Sequence, residues 1–351
     1  MNADINFQQI DRSNMLQLLT AFPQQFREAR QIGEVVNYEI KRDDVKNIIF
    51  AGMGGSAISG DLIIACLKDE LNVPALVVRN YFLPNFVDKS SLVIVSSFSG
   101  NTEESLSCYD DARAKGAQII CISSGGALAS KARQNDISLI TIPGGVPPRT
   151  ALGYLSIPLV VILTKAGLAA VASLDFDEAE KILEQKAVQY SPETQENLAF
   201  NLAEKINDRI PILYSSVDFL QVVATRWKGQ FSENAKVLAF CNVFPELNHN
   251  EIVGWERLRH VFANFQVIYL RDYNDYSRIQ KRMNITQGIL ERVTSPIIEL
   301  VSEGDSRLAR LFSLIYLGDW VSYYLALING VDPTPIEKIQ ILKDQLKIQS
   351  E

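Results

Sequence analysis

Two short segments carry small polar residues in spacings that suit the binding of an anion. "GMGGSAISGD" (residues 52–61) follows the apolar run "KNIIFA", and four of its ten residues are glycine and two are serine. Glycine gathered in this way marks a backbone that turns sharply or approaches something closely. "SSFSGNTEE" (residues 96–104) also follows an apolar run and opens a helical pattern. Ser97, Ser99 and Thr102 place three hydroxyls around Gly100, at a helix N-terminus whose amides attract anions. Hydroxyls and amides together can hold a phosphate without lysine. The simpler alternative is a cap, with Asn101 or Ser99 closing the helix.

The glycine segment fails two familiar patterns. A dinucleotide fold requires G-x-G-x-x-G, whereas Gly52, Gly54 and Gly55 are followed next by Gly60. The acidic partner expected about 20 residues later is missing, where the chain reads "NVPALVVRN". No Gly-Lys-Ser/Thr follows, so it is not a P-loop either. Taken alone, it could equally be a tight strand-to-helix turn. Two serine-bearing loops at the carboxyl ends of strands in one sheet favour a phosphorylated small molecule, since α/β folds bind ligands there.

The elements that must position these loops alternate along the chain. "VKNIIFAG", "PALVVRN", "SLVIVSSFSG", "AQIICISS" and "ISLITIPGG" are predicted strands, with helices over "SAISGDLIIACLKDE", "NTEESLSCYDDARAKG" and "GALASKARQND". A helix-leaning opening (residues 7–40) precedes them. Residues 154–205 are expected to be largely helical and include a charged stretch, "DFDEAEKILEQKAVQYSPETQEN", suited to a linker. Strands then return at "RIPILYSS", "KVLAFCNVF", "QVIYLRD" and "SPIIELVSE", with helices at "VDFLQVVATRWKGQFSENA", "YSRIQKRMNITQGILER", "DSRLARLFSLIYLGDWVSYYLALING" and "TPIEKIQILKDQLKIQ". Apolar runs without strict alternation, separated by helices, indicate parallel strands covered on both faces. The expected fold is therefore α/β: two α/β/α sandwiches joined by helices.

Composition narrows the class of function. The 351 residues suffice for about two domains. A net charge of -7 argues against nucleic acid as a partner, so an anionic substrate must be held locally. Cys66, Cys108, Cys121 and Cys241 are widely spaced without a CxxC pair, which suggests reduced, buried thiols. The N-terminus lacks a basic-then-apolar signal pattern. The apolar stretch "YLSIPLVVILTKAGLAAVASL" is broken by Lys165 and is expected as a buried helix, not a membrane span. A cytoplasmic location follows as the expectation.

At the two loops the chain resembles the sugar isomerase (SIS) domain family: "SFSGNTEE" is similar to its phosphate loop, and "GMGGSAISGD" to the first loop of one branch. "GGVPPRTALGY", "SENAK" and above all "PELNHNEIVGW" resemble the bifunctional phosphoglucose/phosphomannose isomerases, from about residue 48 to the C-terminus. The resemblance implies two SIS-type sandwiches with flavodoxin-like parallel sheets. The expected domains are residues 1–165, with a helical N-terminal extension, and 166–351, with a helical linker and a C-terminal helix. It implies a 6-phospho-sugar as substrate, held by Gly55, Ser56, Ser97, Ser99 and Thr102.

An aldose–ketose isomerase of this kind moves a proton between C1 and C2 through a cis-enediol and needs no redox cofactor. By pattern, Glu233 in "QFSENAK" lies opposite Trp227 and Phe231 and reads as a solvated glutamate; the resemblance makes it the base. His249 in "ELNHNEI" is one of two histidines. A capping or packing role suits a lone His between asparagines, while the resemblance gives it ring opening across a homodimer interface. Arg149 in "GGVPPRTALG" could form a salt bridge beside a proline turn; the resemblance makes it the enediolate stabiliser. Lys343 in "IQILKDQL" matches the lysine of the family's terminal helix. Thr334 in "DPTPIEKIQ" is left out because its register is open. No metal is expected: in a helical segment His249 and His260 would be about 16 Å apart.

Two rivals remain open. One is a sugar-phosphate-sensing SIS module, although the residues before the first strand contain no helix-turn-helix pattern or basic cluster. The other is an isomerase of an amino-sugar or heptose phosphate.

Overall fold

The apolar runs form two parallel sheets. In the computed structural model, which describes residues 7–170 and 174–349, the first sheet contains β1 (Asn47–Ala51), β2 (Ala75–Val78), β3 (Ser91–Ser96), β4 (Gln118–Ser123) and β5 (Ser138–Thr141). Its spatial order is β2-β1-β3-β4-β5, the doubly wound flavodoxin-like order. The second contains β6 (Ile210–Ser216), β7 (Phe240–Phe244), β8 (Phe265–Arg271) and β9 (Ile298–Val301), ordered β7-β6-β8-β9. Among the described residues the second sheet thus repeats the first without a fifth strand. All pairings are parallel.

Alternate side chains of each strand enter different cores, which explains why the runs are apolar throughout. Ile48, Phe50, Leu92, Ile94, Ile120 and Ile122 face a large central core. Ile49, Ala51, Val93, Val95 and Cys121 face an outer one with Cys108, Tyr109, Leu128 and Ala132 from helices Glu103–Ala114 and Gly126–Gln134. In the second sheet Leu213, Ile268 and Leu270 join the same central core. Ile212, Tyr214, Val267 and Tyr269 face a third, with Met283 and Leu290. One continuous core therefore binds both sheets.

That core surrounds helix Arg307–Ile328. It is mostly apolar and buried on every face from Leu308 to Leu327, the pattern of a helix enclosed by protein. Among the described residues it is the helix long and apolar enough to cross a membrane, yet 94% of its apolar window is buried inside the fold. Helix Gln221–Gln230 crosses it at Gly318. A Cβ there would lie 2.1 Å from Trp227 Nε1, which instead donates a hydrogen bond to the Leu314 carbonyl at 2.8 Å. The missing side chain lets the two helices touch.

Two connections differ from expectation. The charged stretch forms helix Phe176–Gln189, which buries Ala179, Leu183 and the Lys186 stem, so it is packed into the fold instead of lying free. The apolar helix begins at Leu152 and ends at Lys165, with Gly167 just beyond it, well short of Leu174; residues 171–173 of that stretch lie outside the described residues. The opening segment contributes helix Phe22–Val35, whose Phe22 and Phe26 enter the central core.

Candidate active site

The strand order reverses between β1 and β3, so the loops that leave their carboxyl ends diverge and open a crevice. The first loop turns from β1 into helix Gly54–Leu67, whose N-terminus has no side-chain cap. The second leaves β3 and enters helix Glu103–Ala114, again without a side-chain cap. Neither Asn101 nor Ser99 closes that helix. Asn101 instead accepts the Ala127 amide of the next helix at 3.0 Å, and Ser99 Oγ accepts the Asn101 amide at 3.3 Å. Ser97 Oγ donates to Thr102 Oγ1 at 3.0 Å, which fixes two of the three hydroxyls relative to each other. Gly100 has φ +71°, and a Cβ there would sit 1.8 Å from the Gly125 carbonyl oxygen. Only glycine fits this turn.

A cleft of about 550 Å³ runs between the two sheet units. Gly54 and Gly55 line one wall with Arg149; Thr225, Arg226, Gln230 and Glu233 line the other. Ser56 is buried behind the glycine loop. Ser97, Ser99 and Thr102 are not among the residues that line the cleft; they lie in the neighbouring loop, after β3, which pairs with β1 up to Ala51 and Val95.

Glu233 stands on a π-helical turn, Phe231–Ala235, that continues helix Gln221–Gln230. Such turns redirect side chains, and they recur at functional sites. Glu233 is one-third exposed, and its Oε2 lies 3.4 Å from Arg149 Nη1. Lys236, in the left-handed conformation after the turn, donates to the carbonyls of Glu233 and Pro335 at 2.5 and 2.7 Å. Burial and nearby Arg149 pull its ammonium below the ordinary lysine pKa.

Arg149 is only 4% exposed and is clamped. Its Nε donates to Asn234 Oδ1 at 2.6 Å, and its Nη2 donates to the carbonyls of Pro333 and Thr334, both at 2.8 Å. Burial lowers its pKa and the Glu233 carboxylate opposes that shift; a guanidinium stays charged regardless. Its own carbonyl accepts from Arg226 Nη2 at 3.0 Å, and Arg226 pairs with buried Asp319 on the central helix. Gln25 braces the same turn by donating to the Thr150 carbonyl at 2.9 Å. Thr334, left out above, is at Arg149 through its carbonyl, and its buried Oγ1 has no partner among the described residues. Asn234, Arg226 and Asp319 were missed because each resembles an ordinary polar helix residue in sequence; only Asn234 falls within a quoted motif.

His249 and Lys343 are not in this cleft. His249 ends the 3-10 turn Glu246–His249 after β7 and is exposed. It neither packs nor caps; Asn250 caps the following turn. Its neighbours are anchored. Asn248 donates to Thr286 Oγ1 at 2.9 Å. Glu251 accepts from Tyr214 Oη and from Asn242 Nδ2. Leu247 and Trp255 are buried in the same domain, leaving Val253 and Leu258 as the apolar residues on the surface there. The His249–His260 segment is broken into short turns instead of one helix. Among the described residues no cluster of three or more His, Cys, Asp and Glu side chains is placed to hold a metal. Lys343 lies exposed on helix Glu337–Gln349, which leaves Ile341 and Leu342 exposed as well.

Fold and site define a two-domain SIS protein. Residues 43–153 match the SIS domain family, and residues 195–346 match the bacterial phospho-glucose isomerase C-terminal SIS domain. The chain is 45% identical over 334 residues to a bifunctional phosphoglucose/phosphomannose isomerase of Caldicellulosiruptor bescii, covering 95% of this chain and 98% of that one. Its identity to a protein of the same description from Aquifex aeolicus is 37% over 305 residues, or 86% and 91% of the two chains. A hypothetical protein of Thermus thermophilus shares the fold, with a TM-score of 0.73, 14% identity, and coverage of 96% of this chain and 90% of the other. The chain belongs to the bifunctional phosphoglucose/phosphomannose isomerase family.

Proposed function

We propose that the protein interconverts glucose 6-phosphate and mannose 6-phosphate with fructose 6-phosphate through a cis-enediol. The observation that carries this reading is the facing of Glu233 and Arg149 in one cleft lined by the uncapped N-terminus of helix Gly54–Leu67, with the uncapped N-terminus of helix Glu103–Ala114 after the adjacent strand. The phosphate is held at those helix ends by the Gly54 and Gly55 amides and by Ser97, Ser99 and Thr102. The Glu233 carboxylate takes the C2 proton of the open-chain aldose and returns it to C1, while the hydroxyl proton on O2 passes to O1. The negative charge that develops on O1 and O2 falls to Arg149 Nη1. Glucose and mannose 6-phosphates differ only at C2, so both collapse to the same enediol, and a turn about C2–C3 presents either face to one base. No step requires a metal.

Ring opening falls to His249. Its exposure, between anchored neighbours and outside its own cleft, supports donation into the site of a second copy, which makes the active unit a homodimer. The exposed Ile341 and Leu342 near Lys343 support the same arrangement for the terminal helix, where Lys343 joins the site. Four unpaired cysteines suit a reducing cytoplasm.

A coupled assay with both aldose phosphates in the presence of EDTA tests the reading. Turnover of both, undiminished by the chelator, is expected. Activity confined to amino-sugar phosphates, or lost to EDTA and restored by zinc, would overturn it.

A further inference from the structure

Glu233 faces the cleft, and the next side chain of the turn faces inward. Asn234 is 1% exposed and lies between Arg149 and the central helix. Its Oδ1 accepts from Arg149 Nε at 2.6 Å, while its Nδ2 donates to Ser322 Oγ at 2.9 Å. Ser322 spends its own hydroxyl proton on the Asp319 carbonyl at 2.8 Å. Its oxygen is therefore left as an acceptor, and only the amide's NH2 end satisfies it. That proton order fixes which way Asn234 points, so its oxygen must face the guanidinium.

A guanidinium has five N–H donors in a rigid fork. One is taken by Asn234 and two by the Pro333 and Thr334 carbonyls. Only Nη1, the nitrogen beside Glu233, keeps capacity for a substrate oxygen. The acceptor on Nε is a neutral amide. A carboxylate there would neutralise the arginine at the point where an enediolate needs its charge, and it would also lie next to the base.

We infer that Asn234 is a positioning residue for the isomerisation: oriented by Ser322, it aims Arg149 Nη1 at the reacting oxygens while leaving the guanidinium's charge uncompensated. This rests on the proposed roles of Arg149 and Glu233. Ser322 belongs to the same relay, at one remove from the cleft, and acts only through Asn234.

Asn234→Asp, Asn234→Ala, Ser322→Ala and the Asn234→Ala/Ser322→Ala double variant test it, with Arg149→Ala as reference. Asn234→Asp is expected to lower kcat by about 100-fold, the scale of losing an oxyanion donor, with KM little changed. The acid limb of its kcat/KM profile moves to higher pH, because the added negative charge makes Glu233 harder to ionise. Ser322→Ala lowers kcat by several-fold alone and has no further effect in the Asn234→Ala background, the mark of one shared route. If the variants lose only melting temperature, with kcat and acid limb at wild-type values while Arg149→Ala is inactive, the role is structural and the inference fails. If Arg149→Ala also keeps its kcat, the assignment of Arg149 itself fails. Should Asn234→Asp not fold, the Ser322 cycle decides: additive losses overturn the relay.

Discussion

Arg149 Nη1 lies 3.4 Å from Glu233 Oε2, although 84 residues separate the two in sequence. A closed Arg–carboxylate bond is about 2.8 Å, so this pair faces without locking. Every other hydrogen-bonded nitrogen of Arg149 is held at 2.8 Å or less. The slack is confined to the side where a substrate oxygen has to enter.

Arg149→Lys is accordingly not conservative. A lysine ammonium cannot serve Asn234, two carbonyls and an enediolate from one nitrogen. Steady-state kinetics are expected to show kcat reduced by about 100-fold or more with KM nearly unchanged, since the lost interaction belongs to the transition state. A kcat within a factor of two of wild type would remove Arg149 from the chemistry.

Ser97→Ala combined with Thr102→Ala should raise KM more than it lowers kcat. The two hydroxyls are 3.0 Å apart at an uncapped helix end, and a phosphate bound there is held about equally in ground and transition states. Unaltered substrate affinity, measured by calorimetry with fructose 6-phosphate, would place the phosphate elsewhere.

Glu233→Gln and His249→Ala proteins, each inactive alone, should recover part of the activity when refolded together. Mixed dimers hold one site with both residues intact if the histidine crosses between copies. No recovery would mean that His249 works within its own chain or not at all. His249→Ala should also impair the cyclic substrate more than an open-chain analogue, because ring opening is the step it removes.

Burial pushes the Cys66 and Cys121 thiols up to about 12 and Cys108 up to about 11, from an ordinary value of 9.0. Between those values the unfolded chain has released its thiol protons and the folded one has not. The stabilisation is therefore whole below pH 9.0 and is lost as pH rises toward 11 to 12. Burial raises Tyr190, Tyr316 and Tyr324 in the same direction. Melting temperatures across this range should fall steadily above pH 9.0; a flat profile would contradict the burial. Thiol labelling of the native protein at about pH 8 should modify only Cys241, the one cysteine that is partly exposed.

The strands were legible in sequence because a parallel strand covered on both faces must be apolar at every position, as "SLVIVS" is. The serine loop was legible as a turn from strand into helix, because Gly100 with small polar neighbours after an apolar run marks a sharp turn, and Gly100 does take φ +71° there. Glu233 was not: helix geometry put it opposite Trp227 and Phe231, and nothing local shows that this face of the helix, shared with Arg226 and Gly229, lines a cleft instead of meeting bulk water. Arg226 and Asp319 pair across 93 residues, and nothing local distinguishes them from solvated charges. The burial of Leu247 and Trp255 was equally hidden, since an apolar residue in a polar loop serves a core and an interface alike.

Proton exchange at C2 tests the central claim most directly. In deuterated water the wild-type protein should wash deuterium into C2 of glucose 6-phosphate, because the enediol reprotonates from a base open to solvent at one-third exposure. Glu233→Gln keeps the shape of the side chain but cannot accept a proton. It should bind sugar phosphate nearly as well while showing no exchange at all. Exchange persisting in the Glu233→Gln protein would place the base elsewhere and contradict the account.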